Sequence, residues 1–145
     1  MHAFRYTEHI ERPREEVFAY MMDFSTAPRW RNMVRRIEVV GGGPVQAGSK
    51  LLFTMDVMGK TKQGEVELWC YEPPHRFGQT NRRGGVTGVF EYILEPNGTG
   101  TAVTFIGDIK LHGLMLFALP WVLKTTRIRF RDQLATLKRA IEQKK

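Results

Sequence analysis

The stretch that decides the fold is residues 111–145, LHGLMLFALPWVLKTTRIRFRDQLATLKRAIEQKK. On a wheel of about 100° per residue, Leu116, Leu119, Leu123, Phe130, Leu134, Leu137 and Ile141 fall in one stripe about 60° wide. That spacing predicts one long amphipathic helix. A kink is expected near Pro120, where proline removes a backbone donor and crowds the carbonyl four residues earlier. A helix with one apolar stripe needs one apolar surface to lie on.

The sequence ahead of the helix supplies that surface. Residues 101–111 place Val103, Phe105, Ile109 and Leu111 on one face, with Thr104, Asp108 and Lys110 on the other. Residues 86–95 bring Phe90, Tyr92 and Leu94 together, and residues 49–58 do the same for Leu51, Phe53, Met55 and Val57. Residues 61–72 alternate Val66, Leu68 and Cys70 against Glu65, Glu67 and Trp69. Period two of this kind reads as half-buried strand. Residues 4–11, 34–40 and 75–83 complete a set of seven. The breaks fall at Gly41-Gly42-Gly43-Pro44, Gly59, Pro73-Pro74, Gly84-Gly85 and Pro96-Asn97-Gly98, all turn formers. After the first strand, Pro13, Glu15 and Glu16 precede Val17, Phe18, Tyr20 and Met21. Early proline and first-turn acids predict a short helix there, and residues 28–31 suit one further turn. The order is strand, one or two short helices, six strands, long helix. This is an α+β chain whose sheet has one apolar face, and only the C-terminal helix is large enough to cover it.

Composition narrows the function classes. With 145 residues, 42% hydrophobic and 26% charged, the chain suits a single domain over 1–145 with a real core. Cys70 is the only cysteine, so no internal disulfide forms. With no apolar leader at the start, the expected location is cytoplasmic. Net charge is +7, and eight Lys or Arg against Asp132 and Glu142 concentrate it in residues 124–145. The simplest reading of that charge is a solvated helix face. No nucleic-acid motif accompanies it, so no nucleic-acid partner is expected. The run 114–123 is apolar all round but about half the length of a membrane span. Burial on both sides, a homodimer contact and peripheral membrane contact compete to explain it. In the last reading, the basic helix residues Lys124, Arg127, Arg131 and Lys138 would meet anionic headgroups. Burial is the leading reading, and the protein is a monomer or a homodimer.

Ile10, Pro13, Val17, Phe18, Phe24 and Trp30 stand as I-x2-P-x3-V-F-x5-F-x5-W, Pro73-Pro74-His75-Arg76-Phe77 follows a middle strand, and Leu137-Lys138-x2-Ile141-Glu142 ends the last helix. In this order, nearly the whole chain resembles the polyketide cyclase/dehydrase and lipid-transport group of the START and birch-pollen-allergen-like (SRPBCC) superfamily. The resemblance implies a helix-grip fold: a seven-stranded curved antiparallel sheet wrapped around the C-terminal helix, with a cavity between them. It also implies a small hydrophobic ligand, such as a lipid, sterol, polyketide or aromatic compound. Some members of that superfamily catalyse ring closure or dehydration instead. No universal catalytic residue carries over.

The cavity-lining candidates are Leu51, Phe53, Met55, Val66, Leu68, Phe90, Tyr92, Val103 and Phe105 from the sheet, with Leu119, Leu123 and Phe130 from the helix. A fully packed core is the alternative, because periodicity reports which way a side chain faces and not how well the space is filled. The helix stripe breaks at Thr126 and Arg127. A charge at such a seam must pair or reach solvent. Arg127, with Thr126 or Tyr92, would hydrogen-bond a carboxylate, ketone or phenolate on a ligand. The simpler reading has Arg127 reach the surface or pair with Glu65. Gln79 and Asn81 share a face with Phe77 and would add neutral polar groups if that face is inward. Trp30 either gates the mouth or packs. His2, His9, His75 and His112 lack metal-ligand spacing, and no nucleophile elbow occurs. No metal and no cofactor are expected. A cofactor-independent cyclase, aromatase or dehydratase is the enzymatic alternative, and a protein-interaction module is the third.

Overall fold

Alternating apolar residues fold seven strands into one antiparallel sheet of order β1-β7-β6-β5-β4-β3-β2. The computed structural model describes residues 2–31, 33–83, 86–113 and 119–143, without the side chains of 2, 3, 82, 83, 119–123 and 125–127. The elements run β1 (His2–Ile10), α1 (Arg14–Met22), a 3-10 turn (Phe24–Thr26), α2 (Ala27–Trp30), β2 (Val34–Val39) and β3 (Lys50–Val57). β4 (Lys60–Glu72), β5 (Arg76–Arg83), β6 (Val86–Asn97), β7 (Gly100–Leu111) and α3 (Leu119–Glu142) follow. This is the helix-grip architecture.

β1 and β2 lie at opposite edges of the sheet, so the chain between them must cross one face. α1 and α2 make that crossing. Glu15 and Glu16 sit in the first turn of α1, and Val17, Phe18, Tyr20 and Met21 are buried. Asp23 then stops the helix and accepts from the Ser25 backbone N–H at 3.1 Å. Met58 and Gly59 turn the β3–β4 hairpin with φ of 51° and 81°, the left-handed pair that matches strand twist.

The inward faces meet as the periodicity requires. Phe90 pairs with Gly107 and Tyr92 with Phe105, while Leu51 pairs with Val66 and Phe53 with Gly64. Leu134, Leu137 and Ile141 of α3 are buried against this face. Pro120 lies in α3. The expected kink concerns a segment of which 114–118 lie outside the described residues.

One register shift corrects the reading of β4. Leu68 pairs with Gln79 but Cys70 pairs with Gly78, so Trp69 is an extra residue. Such a bulge changes which face the following residues occupy. Cys70 therefore leaves the face of Val66 and Leu68, and Tyr71 takes the inward place, 5.8 Å from Phe18 between ring centroids. Cys70 is still buried, beside the charged cluster of Arg76, Glu72 and Glu91, and burial pushes its thiol up.

Candidate functional site

Between sheet and helix lies a cavity of about 580 Å³, within the roughly 300–1,000 Å³ typical of small-molecule sites. Phe53, Met55, Val66, Gln79, Phe90 and Phe130, all expected to line it, border it. Asn81, which shares their inward face, borders it too.

The other sheet candidates are placed differently. Leu51, Leu68, Phe77, Tyr92, Val103 and Phe105 are buried in the packed core rather than on the cavity wall. Aromatic rings fill that end. Phe105 stacks on Phe130 at 4.4 Å, Tyr92 lies 4.9 Å from both Phe77 and Phe105, and Phe4 reaches Phe105 at 6.2 Å. Trp30 is 1% exposed and meets Tyr92 edge-on at 6.2 Å. It packs beneath the site and does not stand at a mouth. The backbone of Leu119, Leu123, Thr126 and Arg127 belongs to α3, but their side chains lie outside the described residues. Glu65, the acid considered for Arg127, pairs with Lys50 at 3.7 Å. Lys138, placed in a headgroup-binding stripe by the sequence, is tied inward to the His9 carbonyl and Glu142, each at 2.7 Å.

The polar centre of the site is Arg31, which the sequence reading did not single out. It is 4% exposed and directly follows the four-residue α2, too short for any periodic signal. Its Nη1 donates to Gln79 Oε1 at 3.3 Å. Its guanidinium lies 4.4 Å from the Trp30 ring centroid and 5.5 Å from that of Phe53. Nε and Nη2 are buried with no hydrogen-bond partner among the described residues. Desolvation pulls Arg31 down to about 10, so it remains a cation at neutral pH. Behind it, Gln133 Nε2 donates to the Tyr92 hydroxyl at 2.9 Å, and burial pushes that hydroxyl up to about 12. Gln133 was legible in principle, since it sits beside Leu137 at the edge of the helix stripe and is buried. Among the described residues, no group of three or more His, Cys, Asp or Glu could hold a metal ion. Nor is any described helix long and apolar enough to cross a membrane.

A sheet gripping a helix over a hollow with one buried polar end defines the class: a helix-grip cavity protein. The chain belongs to the polyketide cyclase / dehydrase and lipid transport family, whose model matches residues 1–142. No curated protein matches it. Among solved structures, TTHA0849 from Thermus thermophilus is similar with a TM-score of 0.77 at 19% identity, over 97% of each chain. A START superfamily protein from Mycobacterium smegmatis gives 0.75 at 15% identity over 99% of each. The di-domain ARO/CYC BexL from the BE-7585A biosynthetic pathway gives 0.83 at 17% identity, with 98% of this chain on 47% of that one. At these identities the likeness is one of fold.

Proposed function

We propose that the protein binds, and carries, a small hydrophobic molecule in the cavity between the sheet and α3. The hollow itself carries the reading: a well-packed interior leaves few voids larger than a water, yet about 580 Å³ stands open between Phe53, Val66, Phe90 and Phe130. A lipid, sterol, polyketide or aromatic compound suits such walls. The lone, buried Cys70 suits a cytoplasmic setting. Native mass spectrometry of protein from its own host, with binding of the neutral dye N-phenyl-1-naphthylamine, tests this reading. A co-purifying apolar compound displaced by the dye is expected. Absence of both would end it.

A second reading is enzymatic, a cyclase, aromatase or dehydratase. Two observations favour it: Arg31 and Gln79 converge on one end of the cavity, and the fold also matches half of a di-domain ARO/CYC. Turnover of a poly-β-ketone by the purified protein would support it, and its recovery unchanged would leave binding alone.

A further inference from the structure

We infer that Arg31 receives an acidic oxygen of the ligand, so that the guest is an apolar body ending in a carboxylate or an ionised phenol or enol. This rests on the cavity being the binding site and adds the chemistry of the guest. A guanidinium carries five donors in a planar fork. Here Nη1 donates to Gln79, while Nε and Nη2 are buried with no hydrogen-bond partner among the described residues. No carboxylate among the described residues forms an ion pair with it. Among the described residues the one acid bordering the cavity is Glu65, which pairs with Lys50. Burying an uncompensated charge is expensive, and the Trp30 and Phe53 rings replace only part of the lost hydration. Arg31 borders the cavity, and an oxyanion seated at that end supplies the missing countercharge, as arginine–carboxylate pairs do. Gln79 and Asn81 from the sheet and Gln133 from the helix also border the cavity and are neutral, so they add no competing negative charge.

The test compares the binding of 2-naphthoate with 2-naphthamide, and of an ionised nitronaphthol with neutral 2-naphthol, to the full-length protein and to Arg31→Met and Arg31→Lys. The wild type is expected to prefer at least one anion over its neutral counterpart by tenfold or more. That preference should vanish in Arg31→Met and survive in part in Arg31→Lys, with neutral binding kept in both. A preference confined to naphthoate assigns a carboxylate guest, and one confined to the nitronaphtholate assigns a phenolate or enolate. If a variant fails to fold, the Arg31 Nε–H resonance of the wild type decides, and it should shift with the anion and not with the amide. Equal binding of anions and neutral probes overturns the assignment to Arg31 while leaving the cavity reading intact. If no probe binds at all, both fall.

Discussion

The guanidinium of Arg31 lies 4.4 Å from the ring centroid of its own neighbour in sequence, Trp30, and the two are 4% and 1% exposed. A desolvated contact of this kind contributes about 2 kcal/mol, less than the several kcal/mol that burying an unpaired ion costs. Without a bound countercharge, Arg31 is therefore under electrostatic load. Arg31→Met keeps the unbranched stem and removes the charge. It should raise the stability of the ligand-free protein by about 1–3 kcal/mol, and each kcal/mol adds about 2–4 °C to Tm in a chain of this size. Thermal unfolding without ligand measures this, and a fall in Tm would mean that the Trp30 and Gln79 contacts outweigh desolvation.

Gly64 faces the cavity from β4, directly across from Phe53. A Cβ built there would meet only Met55 Cε, at an ordinary 3.6 Å. Gly88 and Gly107 differ, because aromatic rings already press into the space a Cβ would need. Gly64→Leu should thus fill the hollow without disturbing the sheet. Affinity for N-phenyl-1-naphthylamine should drop tenfold or more while stability holds or improves through added burial, about 25 cal/mol per Å². Unchanged affinity would place the dye elsewhere.

The strands and their inward faces were legible because a period of two survives any tertiary arrangement. Depth along the sheet was not. Phe90 and Phe105 have the same pattern and both pack on Phe130, at 5.0 and 4.4 Å, yet only Phe90 borders the cavity, because a period of two says nothing of position along the strand. The bulge at Trp69 was also hidden, since it depends on the partner strand's register and not on β4 alone. Arg31 stayed invisible for a third reason. A four-residue helix has no repeat, and what distinguishes this arginine is that residues 48 and 22 positions away, Gln79 and Phe53, come to surround it.

The C-terminal end of α3 is pinned to the β1–α1 turn through Glu142. Its carboxylate accepts from Lys138 Nζ at 2.7 Å and from the Glu11 N–H at 2.9 Å, while Arg12 donates to its carbonyl at 2.7 Å. The Lys138 bond, then the Glu11 bond, hold Glu142 below its ordinary 4.5. Because the folded value is the lower one, the stabilisation is complete above pH 4.5 and is lost as pH falls through the folded value. Glu11 and Glu72 are lowered in the same sense. Glu142→Gln should therefore cost about 1 kcal/mol at pH 7 and flatten, without abolishing, the acid limb of stability. Urea unfolding from pH 3 to 7 reads both, and parallel acid limbs in variant and wild type would show that Glu142 titrates unperturbed.

On the outer face, Trp69 reaches across β5 and donates from Nε1 to the Phe90 carbonyl on β6 at 3.1 Å. The indole can cross only because Gly78 lies beneath it: a Cβ there would stand 2.3 Å from Trp69 Cε2. Gly78→Ala forces the ring off and leaves the Phe90 carbonyl without this partner, so a loss of about 1–3 kcal/mol is expected. Trp69 is 38% exposed and should become more so, shifting its emission to the red. Trp69→Phe identifies that component of the spectrum. Since the Phe90 ring borders the cavity, loosening its backbone should also weaken dye binding, by less than Gly64→Leu does. Unaltered stability and emission in Gly78→Ala would show that the indole is not wedged against β5, and the coupling from the outer face to the cavity wall would fail with it.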